Sequence, residues 1–189
     1  MNSNLEMVQR FSGELVRKNG IYQPLAFHNR ISAELIRDGR IIKRVSCLNG
    51  VTVVGKNSIL DTFFGKASPV AQVATWYIGL INNTPTPVLS EDDTLASHAG
   101  WAEMTTQYGA GTTPANRQAW TDADASAKTK GTTTVSTFTF ITTGTAYGAL
   151  VASVASGTSG VLWATGAFDD TVAFVASDEL RVSYSVSLP

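Results

Sequence analysis

The stretch RISAELIRDGRIIKRVSCL, residues 30–48, decides the fold of this chain. Apolar and polar residues alternate on both sides of Asp38-Gly39, and a period of two puts one apolar face on each of two strands. Asp-Gly tolerates the positive φ angles of a two-residue hairpin turn. The pattern therefore predicts an antiparallel hairpin with strands at 31–37 and 40–48.

The residues after the hairpin change period. Apolar side chains recur at helical spacings in the next segment, and Gly65 follows as a C-terminal stop: Val54, Ile59, Leu60, Phe63 and Phe64. We expect one short amphipathic helix over 53–64 that covers one end of a sheet.

The chain from 74 to 188 has the pattern of successive short strands. Runs of β-forming residues follow one another at 74–81, 135–141, 146–155, 161–168, 172–177 and 179–188, separated by turn-forming segments such as FDDT (168–171) and SDE (177–179). No crossover helices lie between the runs, which excludes a parallel α/β fold. The sequence predicts a mainly β protein, an antiparallel sandwich or jelly roll with one or two short helices.

Length and composition indicate one domain with an appended arm. At 189 residues the chain suits a single β-rich domain over 30–189, preceded by an arm or short docking helix over 1–29 that is too poor in apolar residues to fold alone. A single cysteine, Cys47, excludes an internal disulfide. No signal peptide and no membrane-spanning apolar run are recognisable, so we expect synthesis and assembly in a cytoplasm.

Charge is distributed unevenly along the chain. Residues 1–66 hold ten Lys and Arg against five Asp and Glu, whereas 67–189 hold four against ten. This asymmetry suggests that the first third contacts something acidic, or docks on the remainder of another copy. The basic residues are dispersed and are not interleaved with aromatic ones, which argues against direct binding of nucleic acid.

The segment SEDDTLASHAGWAEMTTQY, residues 90–108, concentrates residues that could carry chemistry. His98 with Asp92 or Asp93 could form part of a hydrolase triad, but no GxSxG elbow accompanies it. His28, His98 and Glu103 could bind zinc, but the HExxH spacing is missing. These residue types without their spacings do not identify a catalytic or metal site.

Glycosidase and nucleotide-binding interpretations are equally poor. Asp92 and Asp93 are adjacent and point away from one another, so they cannot flank one glycosidic bond, and nothing marks Glu103 or Asp122 as a partner. GAGTTPANR (109–117) lacks the ending of a phosphate-binding loop. We therefore assign no catalytic, cofactor-binding or metal residues, and expect neither enzyme activity nor a cofactor or small-molecule substrate.

A structural role explains more of the same segment. Ser90 followed by three acids is typical of the capped N-terminus of a short helical turn. Trp101 would then anchor the exit of this turn in the core. Asp93 or His98 would hydrogen-bond a neighbouring backbone group or Trp120 Nε1.

Several motifs together resemble a group of tailed-phage virion proteins. They are GKNSILDTFFG (55–65), ATWYIGLINN (74–83), SEDDTLASHAGWAEMTTQY (90–108), NRQAW (116–120), GVLWATGAF (160–168) and SDELRVSYSVSL (177–188). The resemblance covers residues 47–188, and none of these motifs is catalytic in that group. Its members are capsid decoration (cement) proteins or virion structural proteins without an assigned role.

The resemblance implies a homo-oligomeric subunit, dimer or trimer, on the exterior of an icosahedral head. Its partners would be the major capsid protein and other copies of itself, with no membrane, and residues 1–29 would dock on the capsid or on a neighbouring copy. A tail component, such as a fibre or baseplate subunit, is the alternative. A carbohydrate-binding or carbohydrate-cleaving module is a third class, for which Glu103→Gln would be the informative variant.

Overall fold

The computed structural model describes residues 27–65, 72–111 and 113–188, together with the backbone of two short strands near the N-terminus. Its elements in chain order are β1 Val8–Gln9, β2 Leu15–Val16, β3 His28–Arg37, β4 Arg40–Val51, α1 Val53–Phe64, β5 Tyr77–Asn82, β6 Gly109–Ala110, β7 Thr113–Pro114, β8 Gln118–Ala119, β9 Thr121–Asp122, β10 Thr129–Thr134, β11 Ser136–Thr139, β12 Gly144–Ala152, β13 Leu162–Phe174 and β14 Glu179–Ser187. All strand pairs are antiparallel. The predicted mainly β, antiparallel class is confirmed.

The predicted hairpin is present as β3 and β4. Asp38 and Gly39 both have positive φ, at 51° and 73°, as a tight two-residue turn requires. The inward residues alternate as expected, and the buried ones include Ile31, Leu35 and Val45. Both strands extend beyond the predicted bounds, and β3 begins at His28, inside the segment assigned to the arm.

The ten-stranded sheet curls into a nearly closed, barrel-like sandwich. Its strand order is β8-β5-β12-β13-β4-β3-β14-β10-β9, with β11 also paired to β14. The terminal strands β8 and β9 are separated in sequence by Trp120 alone, so the two ends of the sheet must lie side by side. Trp120 is buried there, with its backbone N–H donating to the Trp76 carbonyl. The two end strands of the sheet, β8 and β9, are thus joined through the single residue Trp120.

The interior of the barrel is rich in aromatic side chains. Phe138, Phe140, Phe174, Tyr108 and Tyr184 are each at most 2% exposed. β11 follows the predicted alternation, because its Ser136 and Phe138 face inward whereas Thr139 is exposed. Burial of this apolar area is the main force that holds the sheet closed.

The predicted turn at FDDT is wrong, because β13 runs unbroken through it. The pairing of β12 with β13 shifts there, from Gly148 opposite Ala167 to Ala146 opposite Val172, so 168–171 form a bulge. Asp169 accepts a hydrogen bond from the Ser46 N–H at 3.0 Å. The two acidic residues thus tie the bulge to β4, Asp169 through Ser46 and Asp170 through Lys43. Both carboxylates therefore have hydrogen-bond partners without a turn at this position.

The predicted helix is confirmed as α1. Thr52 caps its N-terminus by accepting a hydrogen bond from the Gly55 N–H at 3.1 Å, and Gly55 lies against β13, where a Cβ would come within 2.6 Å of the Trp163 carbonyl oxygen. Val54 and Ile59 pack on the core. The helix therefore contacts the barrel between Val54 and Ile59, with only part of its apolar residues.

Part of the uneven charge is paired within the chain. Three bases of the first third bond acids of the remainder: Arg37 with Asp178 at 2.6 Å, Lys43 with Asp170 at 2.7 Å, and Lys56 with Glu91 at 2.8 Å. The antiparallel fold brings these distant segments together, so these three pairs need no second molecule. The asymmetry is thus weaker support for an acidic partner than the sequence suggests.

The N-terminal segment contains a small antiparallel pair, with Val8 opposite Val16 and Gln9 opposite Leu15. The sequence predicted either a short helix or an extended arm for this segment. Val8–Gln9 and Leu15–Val16 form strands and are not helical. The predicted docking of 1–29 falls, apart from these strands and 27–29, outside the described residues and stays a prediction.

Candidate functional site

The segment 90–101 forms turns, and the predicted helical turn is wrong. Asp93, 9% exposed, accepts hydrogen bonds from the Ser90 N–H and from Trp101 Nε1, both at 2.9 Å. Ser90 Oγ in turn accepts from the Asp92 N–H at 3.2 Å. These side-chain bonds fix the backbone in place of a helical ladder. Asp93 serves as the structural partner of a buried indole.

Contacts between Trp101 and His98 also hold the segment 90–101 in place. Trp101 is 4% exposed, which confirms its predicted core position. The His98 ring stacks on the indole with centroids 4.0 Å apart, and its Nδ1 lies 3.1 Å from the Trp101 carbonyl oxygen. The expected bonds to nearby groups are therefore present, but Trp120 Nε1 is not involved, since it donates to Thr132 Oγ1 at 2.8 Å.

Glu103 forms a buried ion pair with Arg117. Arg117 Nε and Nη2 each donate to one Glu103 carboxylate oxygen at 2.6 Å, and the guanidinium also donates to the carbonyls of Val154 and Gly157. The two side chains are 12% and 4% exposed. Gly79 makes room, because a Cβ there would come within 2.8 Å of Glu103 Oε1. The pair ties the 154–157 loop to the sheet, and both carboxylate oxygens of Glu103 accept a hydrogen bond from Arg117.

The remaining polar candidates are scattered. His28 is exposed at the start of β3, Asp92 is exposed in its turn, and Asp122 pairs with Lys130 at 2.8 Å. Among the described residues no group of three or more His, Cys, Asp and Glu is placed to hold a metal ion. Burial raises the pKa of the Cys47 thiol to about 11, so at neutral pH it is protonated and weakly nucleophilic.

The part of the chain that the structure describes contains no helix long and apolar enough to cross a membrane.

Two concave sites lie beside α1 at one end of the barrel. The first, the tryptophan cavity, has a volume of about 220 Å³ and is lined by Trp76, Trp120, Trp163 and Tyr184, with Lys130 over the Trp120 ring at 5.9 Å. The second, the helix groove, has about 480 Å³. Its walls are Phe27, Asn49, Ile59 and Leu60, and the Lys56–Glu91 ion pair lies at its rim. Ile59 lines both, so the two are neighbours.

A buried polar cluster, the asparagine cluster, lies between these two spaces. Trp163 Nε1 donates to the Tyr184 hydroxyl at 2.6 Å, and this hydroxyl donates to Asn29 Oδ1 at 3.0 Å. Asn49 lies opposite Asn29 on β4. Among the residues that the structure describes, Asn29 Nδ2 and both polar atoms of the Asn49 side chain find no hydrogen-bond partner.

Burial raises the pKa of the Tyr184 hydroxyl, and nearby Trp163 and Asn49 oppose this shift. Sequence reasoning missed the asparagine cluster. The sequence feature that indicates this cluster is a pair of asparagines, Asn29 and Asn49, at inward positions of the alternating strands β3 and β4.

The C-terminal half of α1 carries an exposed apolar surface, the helix face, made of Leu60, Phe63 and Phe64. These side chains are 51%, 83% and 78% exposed, and the two phenylalanine rings pack edge to face on each other. The predicted helix is present, but the prediction that Leu60, Phe63 and Phe64 share an apolar face turned toward the core is wrong. An apolar cluster in this position is typical of an interaction surface.

No family model matches the chain, and neither a curated protein nor a solved structure matches it. The resemblance to phage virion proteins therefore rests on the sequence motifs alone.

Proposed function

We propose that this chain is a structural protein of a tailed-phage virion, of the type that decorates the capsid. In this role it binds the outer surface of the major capsid shell and bridges neighbouring subunits. The observation that carries the proposal is the helix face, whose two phenylalanines are about four-fifths exposed at the C-terminal end of α1.

The helix face suits weak binding that many copies reinforce. Burying one exposed Phe side chain contributes roughly 1.5–3 kcal/mol, so Phe63 and Phe64 together supply roughly 3–6 kcal/mol before the entropy of association is subtracted. One such contact gives modest affinity. Repetition on a closed lattice, with more than one contact per oligomer, multiplies it.

The motifs behind the resemblance also support a structural role. Asp93, His98 and Trp101 anchor one loop, and Glu103 with Arg117 clamps another. These residues are occupied with partners inside the chain. Such use of the motif residues suits a protein whose task is to keep its shape on a particle.

A binding assay on phage heads tests the proposal. Phe63→Ser combined with Phe64→Ser should weaken binding to heads stripped of this protein by about tenfold or more, because it removes the apolar contact. Val88→Ser is the matched control, since Val88 is 70% exposed and lies off the helix. Equal binding by the double variant and the wild type would contradict the assignment of the contact to the helix face.

Copy number distinguishes head from tail. We expect this protein in purified virions at a copy number comparable to that of the major capsid protein, and earlier loss of DNA from heads after it is removed. Only a few copies per particle, with antibody labelling at the tail, would refute decoration in favour of a tail component.

A further inference from the structure

We infer that the tryptophan cavity binds a small uncharged ligand, a single aromatic ring that carries one hydrogen-bond acceptor. The ring lies among the tryptophan side chains, and the acceptor takes a hydrogen bond from Lys130. The inference is independent of the proposed function, because it uses neither the helix face nor a contact with a phage particle.

The volume of the tryptophan cavity limits the size of the ligand. It is about 220 Å³, which is less than the roughly 300–1,000 Å³ of pockets that enclose drug-sized molecules. An apolar cavity of about 150 Å³ is large enough to bind benzene. The tryptophan cavity therefore has room for one ring with a small substituent. Its place at the end of the barrel also fits, because the mouths of β-barrels are preferred positions for ligand sites.

The walls of the cavity are aromatic and are held by contacts with one another. Trp120 packs edge to face on Tyr184 with ring centroids 4.9 Å apart, and Trp76 packs on Trp163 at 5.9 Å. The indole N–H groups of Trp120 and Trp163 already donate to Thr132 and Tyr184, which leaves ring surface toward the cavity. Aromatic rings pack favourably on each other when offset or edge to face. A flat apolar ring therefore suits these walls.

Lys130 supplies a polar group in the wall of the cavity. Its Nζ forms an ion pair with Asp122 at 2.8 Å and donates to the Ala123 carbonyl at 2.9 Å. An ammonium group has three N–H donors, so one donor is left over within the described part of the chain. Nζ lies 5.9 Å from the centroid of the Trp120 ring, so a ligand in contact with this ring can reach the donor. The cavity thus offers one hydrogen bond beside an apolar surface.

The Asp122–Lys130 ion pair disfavours a charged ligand. The Asp122 carboxylate already balances the Lys130 charge and would repel an anionic group at the same donor. A cationic ligand would face the Lys130 ammonium. Moving either charge from water into a mostly apolar cavity also costs free energy. An uncharged acceptor, such as a ketone carbonyl, takes the hydrogen bond without these penalties.

Titration of the full chain with three single-ring probes tests the inference. Acetophenone carries a ring and a carbonyl acceptor, toluene the ring alone, and benzoate the ring with a charge. We expect acetophenone to shift the indole N–H signals of Trp120 and Trp163 saturably in NMR spectra. The signal of Trp101, which packs in a different cluster, should stay unchanged. Acetophenone should bind about tenfold more tightly than toluene or benzoate, because it alone forms the hydrogen bond without a charge. No saturable shift up to the solubility limit of acetophenone, or tighter binding of benzoate, would overturn the inference.

Lys130→Met separates the hydrogen bond from the apolar contact. The substitution keeps an unbranched side chain and removes the donor, so acetophenone should lose about tenfold in affinity while toluene stays within about twofold. Lys56→Met is the matched control, since Lys56 also forms an ion pair of 2.8 Å, with Glu91, but lines the helix groove. It should leave both affinities unchanged. An equal loss for the two probes, or no loss at all, would contradict the role of Lys130.

Val186→Phe tests where the ligand binds. Val186 is a half-buried residue of the cavity wall, so the larger side chain should fill the cavity and abolish acetophenone binding, while the unfolding midpoint stays equal or rises. Val135→Phe is the control at a position 46% exposed outside this wall, and it should bind like the wild type. Full binding by Val186→Phe would overturn the inference. Indole signals that shift with protein concentration alone would show a second copy in the cavity and would also overturn it.

Discussion

Replacing Glu103 by alanine should destabilise the protein strongly, although the residue lies outside the named strands and pairs with β5 through a single bridge to Ile81. The substitution removes both acceptors of the bidentate bond and leaves the Arg117 guanidinium, 4% exposed, without its counter-charge. Breaking a buried ion pair from one side costs about 3–5 kcal/mol. In a domain of this size, 1 kcal/mol shifts the thermal midpoint by about 2–4 °C, so the expected loss is roughly 6–20 °C.

Urea unfolding followed by circular dichroism, with thermal scans beside it, measures this loss. The m value should stay unchanged, so that the lower midpoint reports stability alone. Glu91→Ala is the control, because Glu91 forms an ion pair of similar length with Lys56 but is 64% exposed. Its midpoint should stay close to that of the wild type.

A second variant tests the mechanism of the loss. Glu103→Leu combined with Arg117→Met removes both charges and should recover most of the stability that Glu103→Ala loses, because no buried charge is left unpaired. If Glu103→Ala costs less than about 1 kcal/mol, or no more than Glu91→Ala does, the claim that this pair clamps the loop is refuted.

Two further predictions concern the helix contact and the acid response. Gly55→Ala should destabilise the protein by about 1–3 kcal/mol in chemical unfolding despite the higher helix propensity of alanine, because its Cβ would meet the Trp163 carbonyl oxygen at 2.6 Å. Gly50→Ala, with open space around it, should stay within about 0.5 kcal/mol of the wild type, and equal effects would refute the contact. Arg37 lowers the pKa of the Asp178 carboxyl, so the stability from this pair is present above the ordinary carboxyl pKa of about 4 and is lost as pH falls through the lowered one. Unfolding measured from pH 6 to pH 2 should therefore show a flatter decline for Asp178→Asn, and an unchanged slope would contradict this cause.

Local signals predicted the hairpin and the helix well. Asp38-Gly39 specifies its turn through backbone conformation, and Gly65 follows the last helical residue as predicted. Local signals could not predict the near closure of the barrel. This closure depends on β8 and β9, the two end strands of the sheet, which are joined through the single residue Trp120. Periodicity within about ten residues predicts a strand but does not indicate which distant strand it pairs with.

Two of the wrong predictions concern acidic segments. Both acidic segments, at 90–93 and 168–171, were assigned turn or cap chemistry from their own residues. In the fold, Asp93 bonds both the nearby Ser90 N–H and the Trp101 indole eight residues further on, whereas Asp169 bonds Ser46 on a distant strand. The same limit hid the Glu103–Arg117 pair, since neither residue indicates its partner in the sequence.

The proposed role of this protein is to coat a phage head. Low-resolution electron cryomicroscopy of heads with and without the protein tests it most directly. We predict an added, regularly repeated density on the outer surface of the shell that disappears when the protein is stripped. Heads that look the same in both samples, or added density at the tail alone, would contradict the claim.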